Sequence, residues 1–243
     1  MGTKVTPYEA SQGDKKAQVR TMFDKIAPVY DLMNGVLSLN TDTRWRRKAI
    51  NKLKDKNPKT LLDIATGTGD VAVEANKQLD LESIIALDLS PNMIDLAKKK
   101  MTKKGLDQVI FPEVGDSENL RFDDESFDAV TVSFGVRNFG DLKQGLSEIY
   151  RVINPNGSLV VLEFSKPTIF PFKQIFNFYF RNILPFIGKI SSKDPAAYKY
   201  LYESVQVFPD YDDFAIILKE IGFKQVTWKP LTLGICTIYF AQK

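Results

Sequence analysis

Hydrophobic and polar positions along the chain follow two periods. Short apolar runs bounded by polar or glycine-rich segments occur at 60–65, 83–88, 108–114, 127–134 and 157–164, and each reads as a strand. Between them, 70–79, 91–104 and 141–153 repeat their apolar residues at helical spacing. Ser90-Pro91 opens the second helix with an N-cap and a proline at the first helical position. This alternation predicts a parallel sheet with helices on both faces. The two ends read differently. Phe23, Ile26, Val29 and Tyr30 recur at helical spacing, and Arg44–Leu53 form another helix that Pro58 stops. After Glu163 the strand alternation fades, and 166–208 is rich in aromatics. A helix at 211–221 closes at Gly222, and strands at 223–229 and 234–241 are joined by Pro230–Leu233, short enough for a hairpin. The expected fold class is α/β and Rossmann-like: a seven-stranded, mostly parallel sheet with an antiparallel C-terminal hairpin, N-terminal helices and a helical insertion.

Composition narrows the chemistry. A chain of 243 residues, 44% hydrophobic and 26% charged, suits one domain with a full core. Its parts are an N-terminal helical cap at 1–58, a core at 59–165, an aromatic insertion at 166–208 and a closing helix and hairpin at 209–243. Net charge is +3, which makes no electrostatic case for nucleic acid. The lysines 98, 99, 100, 103 and 104 read as one solvated helix face. The single cysteine, Cys236, excludes an internal disulfide and suits a reducing compartment. Histidine is absent, which removes Ser-His and Cys-His catalysis and any His-held metal. No run reaches the roughly 18 apolar residues of a membrane span, and the polar N-terminus argues against a secretory signal. The expected location is the cytoplasm.

The chemistry concentrates at the end of the first strand. Residues 61–70 read Leu-Leu-Asp-Ile-Ala-Thr-Gly-Thr-Gly-Asp, a strand breaking into a turn at Gly67 and Gly69. Asp88 ends the next strand, close to the roughly 20-residue interval between a glycine loop and a ribose-binding acid. A dinucleotide loop needs a third glycine to seat its pyrophosphate. Here that glycine is missing and an acid, Asp70, stands in the loop. Asp70 suits a cationic ligand instead. S-adenosyl-L-methionine has a ribose, a sulfonium and an ammonium but no phosphate, and a parallel sheet closed by an antiparallel hairpin is the class I methyltransferase arrangement. Thr68, Gly69, Asp88, Asp116 and Ser133 to Asn138 fall at strand carboxyl ends, where such sheets bind ligands.

Several segments together resemble the S-adenosylmethionine-dependent C-methyltransferases of menaquinone and ubiquinone biosynthesis. They are Phe23–Asn34 (FDKIAPVYDLMN), Leu62–Asp70, Ser133–Asn138 (SFGVRN), Tyr150–Gly157, Leu162–Pro167 (LEFSKP) and Tyr198–Ser204 with Phe208-Pro209. The similarity runs from about residue 18 to the C-terminus. The glycine loop is shared by many methyltransferases; SFGVRN and LEFSKP are more specific. Thr66 and Asn156 depart from the usual glycines of the family. The resemblance implies cofactor contacts at Gly67, Thr68, Gly69, Asp88, Asp116, Ser117 and Ser133. It also implies a prenylated quinol substrate, either demethylmenaquinol or a methoxy-benzoquinol.

Methylation at a ring carbon needs the quinol ionised to a phenolate. A fixed cation favours that anion. Arg137 is the candidate, with Asn138 orienting the hydroxyl and Tyr30 or Asp31 relaying the proton. The aromatic stretch Ile169–Ile187, interspersed with Lys173 and Arg181, reads as an amphipathic surface for the lipid tail and for peripheral membrane contact. An ordinary helix packed over the sheet and a homodimer contact are the other roles open to it. A nucleic-acid methyltransferase is disfavoured because the strand end reads SFGVRN rather than an Asn-Pro-Pro-Tyr type.

Overall fold

The computed structural model describes residues 5–8, 13–30, 41–178 and 195–243. Its sheet comprises β1 (Thr60–Ile64), β2 (Ser83–Asp88), β3 (Ile110–Val114), β4 (Phe127–Ser133), β5 (Ile153–Phe164), β6 (Lys224–Leu231) and β7 (Cys236–Gln242). The spatial order is 3-2-1-4-5-7-6. Strands β1 to β5 pair in parallel, and β7 runs antiparallel between β5 and β6. The expected sheet and C-terminal hairpin are both present. The helices are α1 (Lys15–Ile26), α2 (Thr41–Ile50), α3 (Asp70–Gln78), α4 (Pro91–Lys104), α5 (Leu142–Val152), α6 (Phe172–Phe178), α7 (Pro195–Val207) and α8 (Asp212–Ile221).

Side chains alternate across the sheet with period two, and each face has its own core. Leu61 packs with Ile84, Ala129 and Val160 beneath Trp45 of α2, Val73 of α3 and Met101 of α4. Its neighbours Leu62 and Ile64 face the other way, with Val130, Val132 and Leu159 against Leu146 of α5 and Phe214 of α8. Burying each such side chain contributes about 1.5–3 kcal/mol. Coverage on both faces is why these strands read as continuous apolar runs. The N-cap at Ser90 forms, its side chain accepting from the Met93 amide at 3.2 Å.

Two boundaries differ from the sequence expectation. Strand β6 extends through Pro230 to Leu231, so the turn begins at Thr232. Strand β6 lies at the sheet edge, where the missing N–H of proline breaks no ladder. Strand β5 begins at Ile153, ahead of the expected start at 157, with an irregularity between Ile153 and Ser158. Asn156 has φ 67° there, and a Cβ on Gly157 would lie 2.6 Å from Ile153 Cγ2. Asp128 secures this end of the sheet, accepting from the Lys59 and Thr60 amides and from Asn154 Nδ2, each at 2.9 Å.

The strand order reverses between β1 and β4. The chain lays β2 and β3 on one side of β1, then crosses to place β4 on the other. Such a switch point leaves a crevice at the carboxyl ends of the two strands.

Candidate functional site

The floor of the crevice is the loop after β1. Ala65, Gly67 and Gly69 all have positive φ, at 54°, 57° and 85°. This backbone path turns the Gly67 amide toward Asp88, whose Oδ2 accepts it at 2.8 Å. The other oxygen, Oδ1, accepts the Ser90 amide at 2.9 Å. The carboxylate is thereby fixed at the end of β2 with lone pairs left for a ligand. Burial, outweighing these two bonds and aided by Asp24, pushes its pKa up to about 6. Gly69 has a packing reason as well, since a Cβ there would come within 2.5 Å of Met101 Cε.

A cavity of about 660 Å³, including its open mouth, lies above this floor. Gly67, Asp88, Asp116, Ser117 and Ser133 of the expected cofactor set line it, as do Tyr30 and Asn138. Thr68 and Gly69 do not. The Thr68 hydroxyl turns away to Lys100 Nζ, 2.8 Å. Asp70 is bound by the protein's own cations, Arg46 at 2.8 Å and Lys100 at 2.7 Å. Burial raises its pKa, but these two charges outweigh that and hold it below the usual carboxylate range. The expectation that Asp70 meets a cationic ligand is therefore corrected. Lys100 likewise leaves the expected solvated lysine face, because α4 turns it inward onto that pair.

Helix α1 roofs the cavity. Lys16 Nζ reaches Asp116 at 2.7 Å and Glu118 at 3.1 Å, while the Ser90 hydroxyl donates to Asp24 at 2.5 Å. Lys15 Nζ donates to the carbonyls of Arg137 and Phe139 at 3.0 and 2.8 Å. Val19, Phe23 and Tyr30 supply the apolar lining, with the Phe23 and Tyr30 rings edge to face. Asp31 lies outside the described residues.

Arg137 stands behind the cavity wall. Phe134, just past β4, has φ 58°. Its carbonyl accepts from Arg137 Nη1 at 2.7 Å and from Asn138 Nδ2 at 3.2 Å, which brings those two side chains together. Arg137 Nη1 also meets Glu163 Oε1 at 2.5 Å, and the Glu163 side chain is fully buried. Burial pushes the Glu163 carboxyl upward and Arg137 draws it back; the net direction is up. Glu163 was not singled out in the sequence, although an acid within the apolar run Leu159–Phe164 was a signal. Asp63 was missed similarly. It is buried in β1, accepts from Thr66 Oγ1 at 2.5 Å and Thr131 Oγ1 at 2.6 Å, and is pushed by burial to about pKa 6. The hydroxyl of Thr66 thus pins the loop.

The model of the ubiE/COQ5 methyltransferase family matches residues 11–243. This chain belongs to that family. Among its relatives, the demethylmenaquinone methyltransferase of Bacteroides fragilis is 46% identical over 240 residues, covering 99% of this chain and 98% of that one. The ubiquinone/menaquinone biosynthesis C-methyltransferase UbiE of Geotalea daltonii is 44% identical over 231 residues, covering 95% and 98%. A SAM-dependent methyltransferase from Thermotoga maritima has the same fold, with a TM-score of 0.67 at 16% identity over 93% of this chain and 99% of that one. As a ubiE/COQ5 family member the protein is a methyltransferase that uses S-adenosyl-L-methionine. The site suits that cofactor. Asp88, its two oxygens held by the Gly67 and Ser90 amides, lines the cavity with Gly67 beside it.

Proposed function

We propose that this protein methylates a ring carbon of a prenylated quinol, converting demethylmenaquinol to menaquinol. The 46% identity to a protein named demethylmenaquinone methyltransferase supports the naphthoquinol. The 44% identity to a UbiE protein keeps the methoxy-benzoquinol as the second reading. The observation that supports the chemistry is a crevice lined by Asp88 and Asn138, with the buried Arg137–Glu163 pair behind its wall. The cofactor supplies an electrophilic methyl group. Asp88 holds its ribose, with Gly67, Asp116, Ser117 and Ser133 around it, and alignment of two bound reactants lowers the barrier. Thr68 and Gly69 act behind that surface by shaping the loop. Arg137 stabilises the phenolate form of the ring, Asn138 orients its hydroxyl, and Tyr30 walls the ring in with Asp31 next along the chain. Val19 and Phe23 of α1 give the crevice an apolar cover, which strengthens each of these polar interactions.

The lipid tail and the membrane come next. No helix among the described residues is long and apolar enough to cross a membrane. Ile169, Phe170 and Phe178 are 60%, 77% and 61% exposed, with Lys173 exposed among them. Exposed apolar groups beside a cation favour a bilayer interface. We assign this surface to peripheral membrane contact and tail entry for an otherwise cytoplasmic enzyme. The deciding experiment supplies S-adenosyl-L-methionine with demethylmenaquinol or its methoxy-benzoquinol counterpart under reducing conditions and identifies products by mass spectrometry. Preference for demethylmenaquinol is expected. Faster turnover of the benzoquinol reverses the assignment, and transfer to neither sinks the quinol reading.

A further inference from the structure

Buried polar atoms without a partner mark places where a protein awaits something. More than about 90% of buried polar groups are hydrogen-bonded in folded proteins. Among the described residues, five buried side-chain atoms have no partner: Arg137 Nε, Asn138 Oδ1, Tyr200 OH, Ser158 Oγ and Gln206 Nε2. Arg137 and Asn138 meet on the Phe134 carbonyl. Tyr200 comes from α7, the helix that packs against the 136–138 turn. It is 2% exposed, packed with Val19 and Met22 of α1, and its hydroxyl feels the charges of both Arg137 and Glu163. Val19 itself lines the cavity.

Packing alone does not account for this tyrosine. A buried hydroxyl left unsatisfied costs about 1–3 kcal/mol, so a phenylalanine would serve a purely apolar cluster better. The hydroxyl also comes within the field of a guanidinium whose Nε–H is equally unpaired. Two donors and one acceptor, Asn138 Oδ1, match a ring hydroxyl that starts protonated and becomes anionic. We infer that Tyr200 is a substrate-binding residue whose hydroxyl, with Arg137 Nε–H, donates to the quinol oxygen that ionises. Asn138 Oδ1 takes that oxygen's hydrogen bond while it is still protonated. Burial raises the Tyr200 pKa further than Arg137 lowers it, so the hydroxyl stays a donor throughout the working range. The assignment rests on the quinol reading and names a contact within that same site.

Tyr200→Phe removes a single oxygen and tests the idea. The apo variant is expected to melt no lower than the wild type, because an unsatisfied group is removed, and to bind S-adenosyl-L-methionine unchanged. Its affinity for 1,4-naphthohydroquinone, measured calorimetrically without oxygen, should fall about tenfold or more, the equivalent of one hydrogen bond to a charged group. Methyl transfer to a tail-less demethylmenaquinol should show an alkaline shift in its pH–rate profile. Arg137→Lys, which keeps a charge but lacks the Nε–H, should show the same shift. Wild-type methylation with unchanged ring affinity and pH profile in Tyr200→Phe overturns this assignment alone. A wild type that binds the cofactor and methylates no quinol overturns the quinol reading, and the Tyr200 assignment with it. A marked drop in melting temperature in Tyr200→Phe identifies the hydroxyl as structural and also overturns it.

Discussion

Asp88 has its two oxygens oriented by backbone amides, so the ribose contact proposed for it needs no rearrangement. Asp88→Ala removes two ribose hydrogen bonds to a charged acceptor, worth about 1.5–3 kcal/mol each. The dissociation constant for S-adenosyl-L-methionine should rise tenfold or more; calorimetry showing less than about a threefold change refutes the ribose contact. Because its pKa is pushed to about 6, wild-type affinity should also fall as pH drops through that value. Arg137 presents a different problem. Arg137→Ala strands the buried Glu163 carboxylate, a loss of about 3–5 kcal/mol in folding stability. The single variant therefore mixes a folding defect with a rate defect. Adding Glu163→Gln should recover much of the stability in urea titrations while transfer stays slow. Full recovery of rate in the double variant would remove Arg137 from the chemistry. At this scale the glycines, Asp88 and the SFGVRN segment were legible because each residue type implies its chemistry. The pairing of Arg137 with Glu163 was not legible, because the two lie 26 positions apart and meet only when β4 and β5 pair.

At the scale of elements, the site depends on how closely the loops after β1 and β4 approach. A Cβ added to Gly135 would lie 2.5 Å from Ala65 Cβ and 3.0 Å from Val132 Cγ1. The backbone of Gly135, at φ −111°, admits any residue, so this glycine is a matter of space and not of dihedral freedom. Gly135→Ala should cost about 1–3 kcal/mol by overpacking, and it should weaken cofactor binding by pushing the Ala65–Gly67 turn off Asp88. Urea denaturation and calorimetry check the two effects; a variant with wild-type values in both shows that the loops yield freely. Strand and helix positions were readable from periodicity in this region. The hairpin boundary was not, since Pro230 reads as a turn residue unless its strand is known to lie at the sheet edge.

At the scale of the whole molecule, the absence of histidine makes the pH dependence simple. Asp63 and Asp88 ionise near 3.8 in the unfolded chain and near 6 in the fold. Between those values the folded state holds more protons, so stability from these groups falls as pH rises. Asp70 and Asp128 shift downward, and their stabilisation is lost only below about 4. The cofactor-free protein should therefore melt higher at about pH 5 than at about pH 7.5; the reverse order in calorimetric scans would contradict the burial of Asp63 and Asp88. Surface function belongs to this scale as well. Phe176 is part of a buried cluster with Val205, so a change there tests folding and not lipid contact. Phe180 and Phe186 lie outside the described residues. Replacing Ile169, Phe170 and Phe178 with serine should lower liposome association and raise KM for long-tailed quinols, each buried methylene contributing about 0.8 kcal/mol. Turnover of a tail-less quinol should be little changed. Equal losses on both substrates would assign this surface to packing.

Local sequence determined what local physics controls. Apolar periodicity set the strands and helices, because each side chain's face follows from its place along the backbone. Glycine spacing marked the turn after β1, because Gly67 and Gly69 take positive φ there, and the interval to Asp88 marked the end of β2. Only the tertiary structure decided which charges neutralise one another. It spent Asp70 on Arg46 and Lys100, folded α1 over the crevice through Lys16 and Asp24, and set α7, which carries Tyr200, against the 136–138 turn. Those contacts join residues from 24 to 100 positions apart, and they arise where separate strands and helices converge on one end of the sheet.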